Sequence, residues 1–158
     1  MTSLKQLELK LSMTAFGTWM IKIFSSRIDP VISRLTRGRL TLLGPVVIPQ
    51  LLLTTTGRKS GQNRDVPLVY TDIEGLIHIV ASNFGGEHHP AWSYNLEANP
   101  NATIQLNAET TEVTAEKLRN EEKELLWERL VDNIPTYSLY RERTDRNIKV
   151  YRLLPCAK

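Results

Sequence analysis

Hydrophobic and polar residues follow two different patterns along the chain. In the first 45 residues, apolar positions recur every three or four residues, which predicts an amphipathic N-terminal helix. A short second helix is expected after it, with Asp29 as its N-cap, Pro30 at its first position and Gly38 just past its end. The apolar positions that carry the first helix are Leu4, Leu7, Leu11, Ala15 and Trp19.

From Gln50 onward the pattern changes to short apolar and β-branched runs separated by turn residues, which is typical of strands. Pro67 lies inside the second run and marks an edge or a bulge, because proline cannot donate a hydrogen bond to a sheet. The predicted strands cover residues 51–56, 64–71, 76–82, 102–107, 110–118 and 147–154.

Helices are predicted between the later strands. Pro90 opens one helix that runs to about Asn99, Asn120 is the expected N-cap of a helix over 121–133, and a shorter helix covers 136–143. Strands that are adjacent in sequence and joined by tight turns favour an antiparallel sheet, and six short ones suit a small barrel. The expected fold class is therefore α+β, with helices around a β-barrel of about six antiparallel strands.

Length and composition fit one soluble globular domain. The chain has 158 residues, of which 41% are hydrophobic and 23% charged. We expect a single domain over residues 1–158, with residues 1–45 as a helical region and residues 46–158 as the barrel core. The one cysteine, Cys156, cannot form an internal disulfide, and no His/Cys cluster has metal-ligand spacing. This favours a cytoplasmic protein without a metal.

The charge is unevenly distributed. Residues 1–64 carry ten lysines and arginines against two acidic residues, whereas the remainder is acidic overall. Such a basic half attracts an anionic partner, although a solvated basic face without a partner is the alternative. No nucleic-acid-binding motif appears, so no nucleic acid is expected. Residues 11–24 are too short and too polar to span a membrane, but an amphipathic helix there can lie on the inner membrane face.

The segment Gly57–Gly61 is the strongest local signal for a binding site. Its two glycines allow a sharp turn and a close approach to a ligand. Arg58 and Lys59 supply positive charge, Ser60 a hydroxyl donor, and Arg64 a further cation just beyond the turn. Successive backbone N–H groups in such a turn can form an anion-binding nest. The alternative is a basic hairpin tip exposed to water.

A second candidate is the Ser82–Gly86 loop with the helix start that follows it. A strand, a glycine-rich loop and a helix N-terminus together make an anion site. Trp92, in the first turn of that helix, would offer an aromatic plane to a planar ligand. The alternative is a loop without a ligand, with Trp92 as a core residue.

Taken together, three segments resemble the deazaflavin-dependent nitroreductase family. They are LLLTTTGRKSGQNRDVPL, ASNFGGEHHPAWSYNLEANP and PTYSLYRERTDR. The resemblance covers about residues 46–154. It implies a split β-barrel (FMN-binding-like) and the reduced deazaflavin coenzyme F420 as cofactor, whose phosphate and polyglutamate tail would give the basic half a partner.

The resemblance also implies roles for individual residues. The cofactor phosphate region would be held by Arg58, Lys59, Ser60 and Arg64. The remaining cofactor contacts would come from one strand, its neighbour and the helix, through Asp65, Val66, Pro67, Leu68, Val80, Ala81, Ser82, Asn83, Ala91, Trp92 and Asn95. The candidate catalytic residues are Tyr137, which would also bind the cofactor near its ring and the substrate, and Tyr140, a second position on the substrate side.

The implied reaction is hydride transfer from reduced F420 to a small conjugated acceptor such as a quinone or an enone. Tyr137 or Tyr140 can donate a hydrogen bond to the developing oxyanion, and either tyrosine or solvent can supply the proton. An FMN-binding split-barrel reductase and a non-catalytic cofactor carrier are the alternatives. Exposed barrel edges are compatible with a homodimer.

Two positions depart from the resemblance. Ile134 stands where nitroreductase members of the family carry a tyrosine, which argues against activation of nitroimidazoles. Asn83 replaces a lysine found in some relatives, so one charged contact with the cofactor would be absent.

Overall fold

The computed structural model describes residues 49–107 and 109–156, together with the backbone of two short strands that precede them. These strands, β1 (Leu40–Thr41) and β2 (Gly44–Pro45), pair with each other in antiparallel fashion. Both N-terminal helices predicted from the sequence fall outside the described residues.

Six further strands close into a barrel. The strand order is β3-β4-β5-β8-β7-β6, every neighbouring pair is antiparallel, and β6 pairs with β3 to close the ring. This confirms the predicted α+β fold with a six-stranded antiparallel barrel. The strands are β3 (Gln50–Thr56), β4 (Asn63–Ile73), β5 (Leu76–Val80), β6 (Asn101–Leu106), β7 (Glu109–Lys117) and β8 (Val150–Pro155).

The barrel has an open stretch along β4. Within the described part of the chain, residues 63–69 of β4 pair with β3 alone, whereas residues 70–73 pair with β5, and the Tyr70 N–H also donates to the Pro49 carbonyl. Pro67 lies in the stretch that is paired on one side, opposite Leu52, which confirms its predicted place at an edge. Because β5 ends at Val80, two residues earlier than predicted, the loop after β5 faces this unpaired part of β4.

Within the described residues, three helices flank the barrel: α1 (Ala91–Ala98), α2 (Asn120–Asn133) and α3 (Thr136–Glu142). The predicted N-cap of α2 is wrong by one residue, since Asn120 is already helical and Arg119 occupies the cap position. The Glu122 carboxylate accepts hydrogen bonds from the backbone N–H and the Nε of Arg119, at 3.3 and 3.2 Å. An acidic residue in the first turn also favours the helix dipole.

The last strand begins later than predicted. Residues 147–149 connect α3 to β8 instead of joining the sheet, because the Asn147 side chain is bonded to two residues of α2. Its amide donates to Asn120 Oδ1 at 2.9 Å, and its oxygen accepts from the ammonium group of Lys123. The Lys149 carbonyl still accepts a bond from the Ala81 N–H at 2.8 Å, so the connection runs alongside the chain that leaves β5.

Two apolar cores lie on opposite sides of the barrel wall. Inward-facing side chains such as Leu53, Ile79 and Leu153 fill the barrel together with Trp92 and Leu96 of α1. The outer faces of β4, β5 and β8 pack against α2 and α3. The residues of this outer core include Ile73, Val80, Val150, Trp127, Leu130, Ile134, Tyr137 and Tyr140.

Helix α1 covers one end of the barrel. It connects β5 to β6, and the antiparallel order brings the β3–β4 turn, the loop after β5 and the start of β8 to this same end. The hydroxyl groups of Ser93 on α1 and Tyr151 on β8 lie 2.8 Å apart in the interior. Across the described residues, we find no helix with the length and apolar character needed to cross a membrane.

We expect Tyr151→Phe to lower stability without changing the fold. Tyr151 is fully buried, its hydroxyl also donates to the Ser93 carbonyl at 3.2 Å, and burial raises its pKa to about 12, so the group stays protonated. Leaving the Ser93 groups without this partner costs about 1–2 kcal/mol, or about 2–8 °C in melting temperature. The matched control is Tyr70→Phe, because Tyr70 is only half-buried. An equal loss in both variants would contradict the assigned role of the Ser93–Tyr151 pair.

Candidate functional site

The Gly57–Gly61 segment forms the tight turn that the sequence predicts. The N–H groups of Ser60 and Gly61 both donate to the Gly57 carbonyl, at 3.1 and 2.7 Å, and the Gly57 N–H donates to the Gln62 carbonyl at 2.8 Å. A Cβ on Gly57 would lie 2.8 Å from Ser60 Oγ, and Gly61 has a φ of +67°. Both glycines are therefore required by the shape of the turn.

The prediction that successive free backbone N–H groups form an anion-binding nest in this turn is wrong. The N–H groups of residues 57, 60 and 61 are bonded within the turn, and that of Gln62 donates to Ser60 Oγ at 3.3 Å. The Arg58 N–H donates to the Asn95 side chain at 3.1 Å. Of the N–H groups of residues 57–62, only that of Lys59 has no bond to the described residues, so an anion at this turn would be held mainly by side chains.

Asn95 connects the turn to α1 and β3. Its side chain is buried, with Oδ1 accepting from the Arg58 N–H and Nδ2 donating to Thr55 Oγ1 at 3.0 Å. The predicted contact of Asn95 with a cofactor is untested, and these bonds give the amide a structural function. Thr55 was not among the predicted site residues; the available signal was its alternation with Leu51 and Leu53, which places it on the inward face of β3.

The cations of the turn extend into solvent. Arg58, Lys59 and Arg64 are all exposed, and none forms an ion pair with a carboxylate of the described residues. The Arg58 guanidinium lies 4.9 Å from the centre of the Tyr94 ring, and Arg64 Nη2 lies 3.5 Å from Gln62 Oε1. Three positive charges that no described carboxylate neutralises suit an anionic ligand.

Two more lysines reach the same end of the barrel. Lys149 lies 5.4 Å from the Tyr94 ring centre. Both Lys149 and Lys117 form ion pairs with Glu97, at 2.8 and 3.0 Å, and these contacts lower the pKa of the Glu97 carboxyl. Glu97 is therefore occupied by its own lysines and does not neutralise the cations of the turn. Tyr94, which was not among the predicted site residues, lies between the Arg58 guanidinium and the Lys149 ammonium group.

The loop after β5 is tightly folded. Asn83 and Phe84 have φ values of +46° and +57°, and Gly85 follows with +75°. Residues 83–85 form one turn of 3₁₀ helix, and the Asn83 amide donates to the His88 carbonyl at 2.7 Å. Consecutive non-glycine residues in the left-handed region are unfavourable and need support from their surroundings.

Predicted contact residues on β4 and β5 divide between two faces. Val66 and Leu68 pack toward the barrel interior, so Pro67 between them and Asp65 before them face outward. Thr54 donates a hydrogen bond to Asp65 Oδ1 at 2.7 Å. Val80 is buried in the outer core, while Ala81 belongs to the barrel interior. One flat ligand cannot lie against all of these side chains at once.

The predicted contact residues at the start of α1 also differ in their exposure. Ala91 is exposed, whereas Trp92 is 6% exposed and packs edge-to-face on Tyr151 with ring centres 5.6 Å apart. Trp92 thus lies in the barrel core, as the alternative interpretation had it. Ser82 is half-buried where β5 gives way to the loop.

The two candidate tyrosines lie behind the loop. Tyr137 and Tyr140 are buried on α3 with ring centres 6.5 Å apart, and Phe84 packs edge-on against Tyr140 at 5.8 Å. Burial, with a smaller contribution from Tyr140, raises the pKa of Tyr137 far above its usual value. Tyr137 is therefore a hydrogen-bond donor that keeps its proton.

A groove at the opposite end of the barrel is a less suitable site. It has a volume of about 640 Å³ and includes Asp72, Glu74 and Asp132 among its lining residues. Its Arg129 is paired with Glu74 at 2.6 Å. This acidic surface would repel an anionic cofactor, and none of the predicted site residues lines it.

Taken together, the closed antiparallel barrel and the cations at one end, which have no acidic partners among the described residues, define a split-barrel protein whose α1 end suits an anionic ligand. A sequence model of the F420H(2)-dependent quinone reductase family matches residues 26–155. The chain belongs to this family.

Individual relatives agree with this assignment. The chain is 35% identical over 127 residues to an F420H(2)-dependent quinone reductase of Mycobacterium tuberculosis (strain ATCC 25618 / H37Rv), covering 78% of this chain and 85% of the relative. A solved F420-H2 dependent reductase, FDR-A, is 40% identical with a TM-score of 0.61, covering 66% of this chain and 93% of that one. A structure described as a domain-swapped dimer is 35% identical with a TM-score of 0.63, covering 80% and 96%.

The family confirms several predictions from the sequence. The protein is an F420H2-dependent oxidoreductase of the split-barrel type, with a quinone among the predicted acceptors. Because the family uses F420H2, the alternative of an FMN-binding reductase is not needed. Because its members are reductases, the family also replaces the alternative of a non-catalytic carrier. The cations of the turn, which have no acidic partners among the described residues, have the charge opposite to that of the F420 phosphate. The charge of the candidate site therefore fits the cofactor of the family.

His89 should make the protein more sensitive to acid. Burial and the Arg146 guanidinium, whose Nη1 lies 2.6 Å from His89 Nδ1, lower the pKa of His89 to about 4. The unfolded chain therefore binds more protons than the folded one between about pH 6.5 and pH 4, and stability falls over that range. We expect His89→Asn to lose less melting temperature than the wild type between pH 7 and pH 4.5.

The comparison isolates His89 because both proteins retain His78, the other histidine with a lowered pKa. Asparagine places an oxygen near the position of Nδ1 and cannot be protonated in this range. Parallel losses of melting temperature in the two proteins would show that His89 does not contribute.

Substitution of Gly85 tests the packing of the loop. A Cβ there would lie 2.8 Å from Arg143 Cβ and 3.0 Å from the Tyr140 carbonyl, whereas Gly75, with a similar φ of +82°, has nothing within 4 Å. Gly75→Ala should cost about 1–2 kcal/mol for its backbone conformation. Gly85→Ala should cost about 1–3 kcal/mol more for overpacking, measured by chemical denaturation. Equal costs would mean that the loop does not pack against α3 as described.

Proposed function

We propose that the protein reduces quinones with F420H2 bound across the α1 end of the barrel. The observation that carries this proposal is the set of exposed cations next to the loop after β5, Arg58, Lys59 and Arg64, which have no acidic partners in the part of the chain that the structure describes. When bound, F420H2 supplies a hydride to the acceptor. The protein binds and orients the cofactor and keeps competing reactions away from it.

In this proposal the basic turn holds the phosphate region of the cofactor. Arg58 and Lys59 provide charge, Ser60 a hydroxyl donor, and Arg64 a further cation at the start of β4. The deazaflavin ring would lie beside three segments. These are residues 65–68 of β4, which do not pair with β5, residues 80–83, and the start of α1 with Ala91 and Trp92. Asn95 acts by fixing the turn through its bonds to Arg58 and Thr55.

Tyr137 and Tyr140 form the acceptor side of the proposed site. The raised pKa of Tyr137 suits a residue that donates a hydrogen bond to the oxygen of a quinone as negative charge develops there. The same shift makes Tyr137 a weak acid, so we assign the delivery of the proton to solvent. Ile134 is buried in the outer core beside these tyrosines, and we expect quinones to be reduced in preference to nitroaromatics.

The remaining assignments are also proposals. We propose a single domain over residues 1–158 that acts in the cytoplasm. A homodimer is proposed because a relative of 35% identity is described as a domain-swapped dimer. Contact with the inner membrane face would depend on the N-terminal helix, and binding to anionic vesicles tests it, with loss of binding after deletion of residues 1–24 as the expected result.

Lys59→Ala should weaken the binding of F420. Loss of one charged contact to a phosphate costs about 1.5–3 kcal/mol, which is a roughly 10- to 100-fold rise in Kd. Quenching of F420 fluorescence measures the affinity, at two salt concentrations. The control is Arg129→Ala, which removes a positive charge at the opposite end of the barrel. Unchanged affinity in Lys59→Ala, or an equal loss in both variants, would show that the turn does not hold the phosphate of F420.

Tyr137→Phe should slow the reaction while leaving F420 bound. If the hydroxyl donates to the developing oxyanion, kcat with a soluble quinone should fall about 10-fold or more, by analogy with lost oxyanion donors. The Kd for F420 should change by less than about 2-fold, since the turn residues are intact. Ser138→Ala on the exposed side of α3 is the control. A variant with full kcat would show that Tyr137 only packs.

A further inference from the structure

Arg146 lies in the connection between α3 and β8 and contacts both ends of the loop after β5. Its guanidinium donates to three backbone carbonyls: Nη1 to Ala81 at 3.0 Å, Nη2 to Ser82 at 2.8 Å, and Nε to Gly86 at 3.2 Å. Nη1 also lies 2.6 Å from His89 Nδ1. One side chain thus joins the end of β5, the end of the loop and the chain that enters α1.

The arrangement requires an arginine. A guanidinium presents five N–H donors in a rigid plane, whereas the lysine ammonium is a single point with three donors. The three carbonyls and the imidazole nitrogen surround that plane at its edge. A lysine at position 146 could reach some of these acceptors but could not keep all four in place.

The contact with His89 fixes the state of the imidazole. Arginine has no acceptor, so Nδ1 of His89 must accept and the ring carries its proton on Nε2. The charged groups that face this ring are Arg146, Lys149 and Lys117, with Glu97 as the opposite charge, and the Tyr94 ring packs edge-on at 5.8 Å. Burial and the excess of positive charge lower the pKa of His89, which keeps the ring neutral and available as an acceptor.

The loop needs such a support. Asn83 and Phe84 are held in the left-handed region although neither is glycine, and the hydrogen bonds within the loop join neighbouring residues only. Among the described residues, the Ala81 N–H is also bonded to the Lys149 carbonyl, but Arg146 connects both the Ala81–Ser82 end and the Gly86 end of the loop to a distant part of the chain. Without the bonds from Arg146, the unfavourable backbone could relax and move Ser82 away from the unpaired edge of β4.

We propose that Arg146 is a positioning residue for F420: it holds the Ala81–Gly86 loop and the entry to α1 in the conformation that binds the cofactor. This inference rests on the proposed function for the identity of the ligand. The ordering of the loop by Arg146 is a property of the protein alone and can be measured without the cofactor.

The first experiment measures amide hydrogen exchange of Arg146→Met and Arg146→Lys in the absence of F420. In Arg146→Met, amides of residues 82–90 should exchange at least 10-fold faster, while those of β3 and β7 keep their protection. Arg146→Lys should fall between Arg146→Met and wild type. The control is Arg152→Met, which removes a half-buried arginine of β8 whose partner is Glu116. Unchanged exchange at 82–90 in Arg146→Met would overturn the proposal.

The second experiment measures F420 affinity by fluorescence quenching in the same variants. Arg146→Met should raise Kd at least 10-fold, and Arg152→Met less than 2-fold. Faster loop exchange with an unchanged Kd would overturn the positioning role. If wild-type protein failed to bind F420, the proposed function would be wrong, whereas the exchange experiment would still decide whether Arg146 orders the loop.

A second pair of variants covers the case in which Arg146→Met does not fold. His89→Ala removes one acceptor of the guanidinium, and His89→Asn retains one at nearly the same place. We expect faster exchange at residues 82–90 and a weaker Kd in His89→Ala, with recovery of both in His89→Asn. Equal behaviour of the two variants would show that the Arg146–His89 contact does not hold the loop.

Discussion

Closure of the barrel is the constraint on which the rest of the structure depends. Pairing between β3 and β6 completes the ring, so α1, which connects β5 to β6, must lie over one end of it. The same antiparallel order brings the β3–β4 turn and the loop after β5 to that end. Asn95 and Ser93 then fix α1 to Thr55 and Tyr151. The candidate site therefore follows from the topology: the β3–β4 turn and the loop after β5 are brought together by α1.

Hydrogen bonding determines which atoms remain for a ligand. Apart from the Lys59 N–H, the turn uses its backbone donors on itself and on Asn95, so its long basic side chains are the main groups left to bind an anion. The loop after β5 adopts an unfavourable backbone and depends on Arg146 from a distant segment. A stiff backbone with flexible charged groups at its surface suits a large anionic cofactor, because the backbone sets its orientation and the charges attract it.

The sequence predicts the barrel well because strand periodicity and turn residues are local signals. Pro67 marked a strand edge, and GRKSG marked a tight turn. Two features could not be predicted locally. Nothing in the sequence indicates that the Gly57 carbonyl accepts two N–H groups and removes the expected nest. Arg146 was missed because its partners are mainly backbone carbonyls about 60 residues away, which leave no pattern in the chain.

The most direct test of the account is a titration of the isotopically labelled protein with F420, followed by amide chemical shifts. Binding across the α1 end predicts that the largest changes occur together in residues 57–64 and 81–92, with small changes near Asp72 and Arg129. Changes centred on the acidic groove at the opposite end, or in only one of the two segments, would contradict a single site that both segments form.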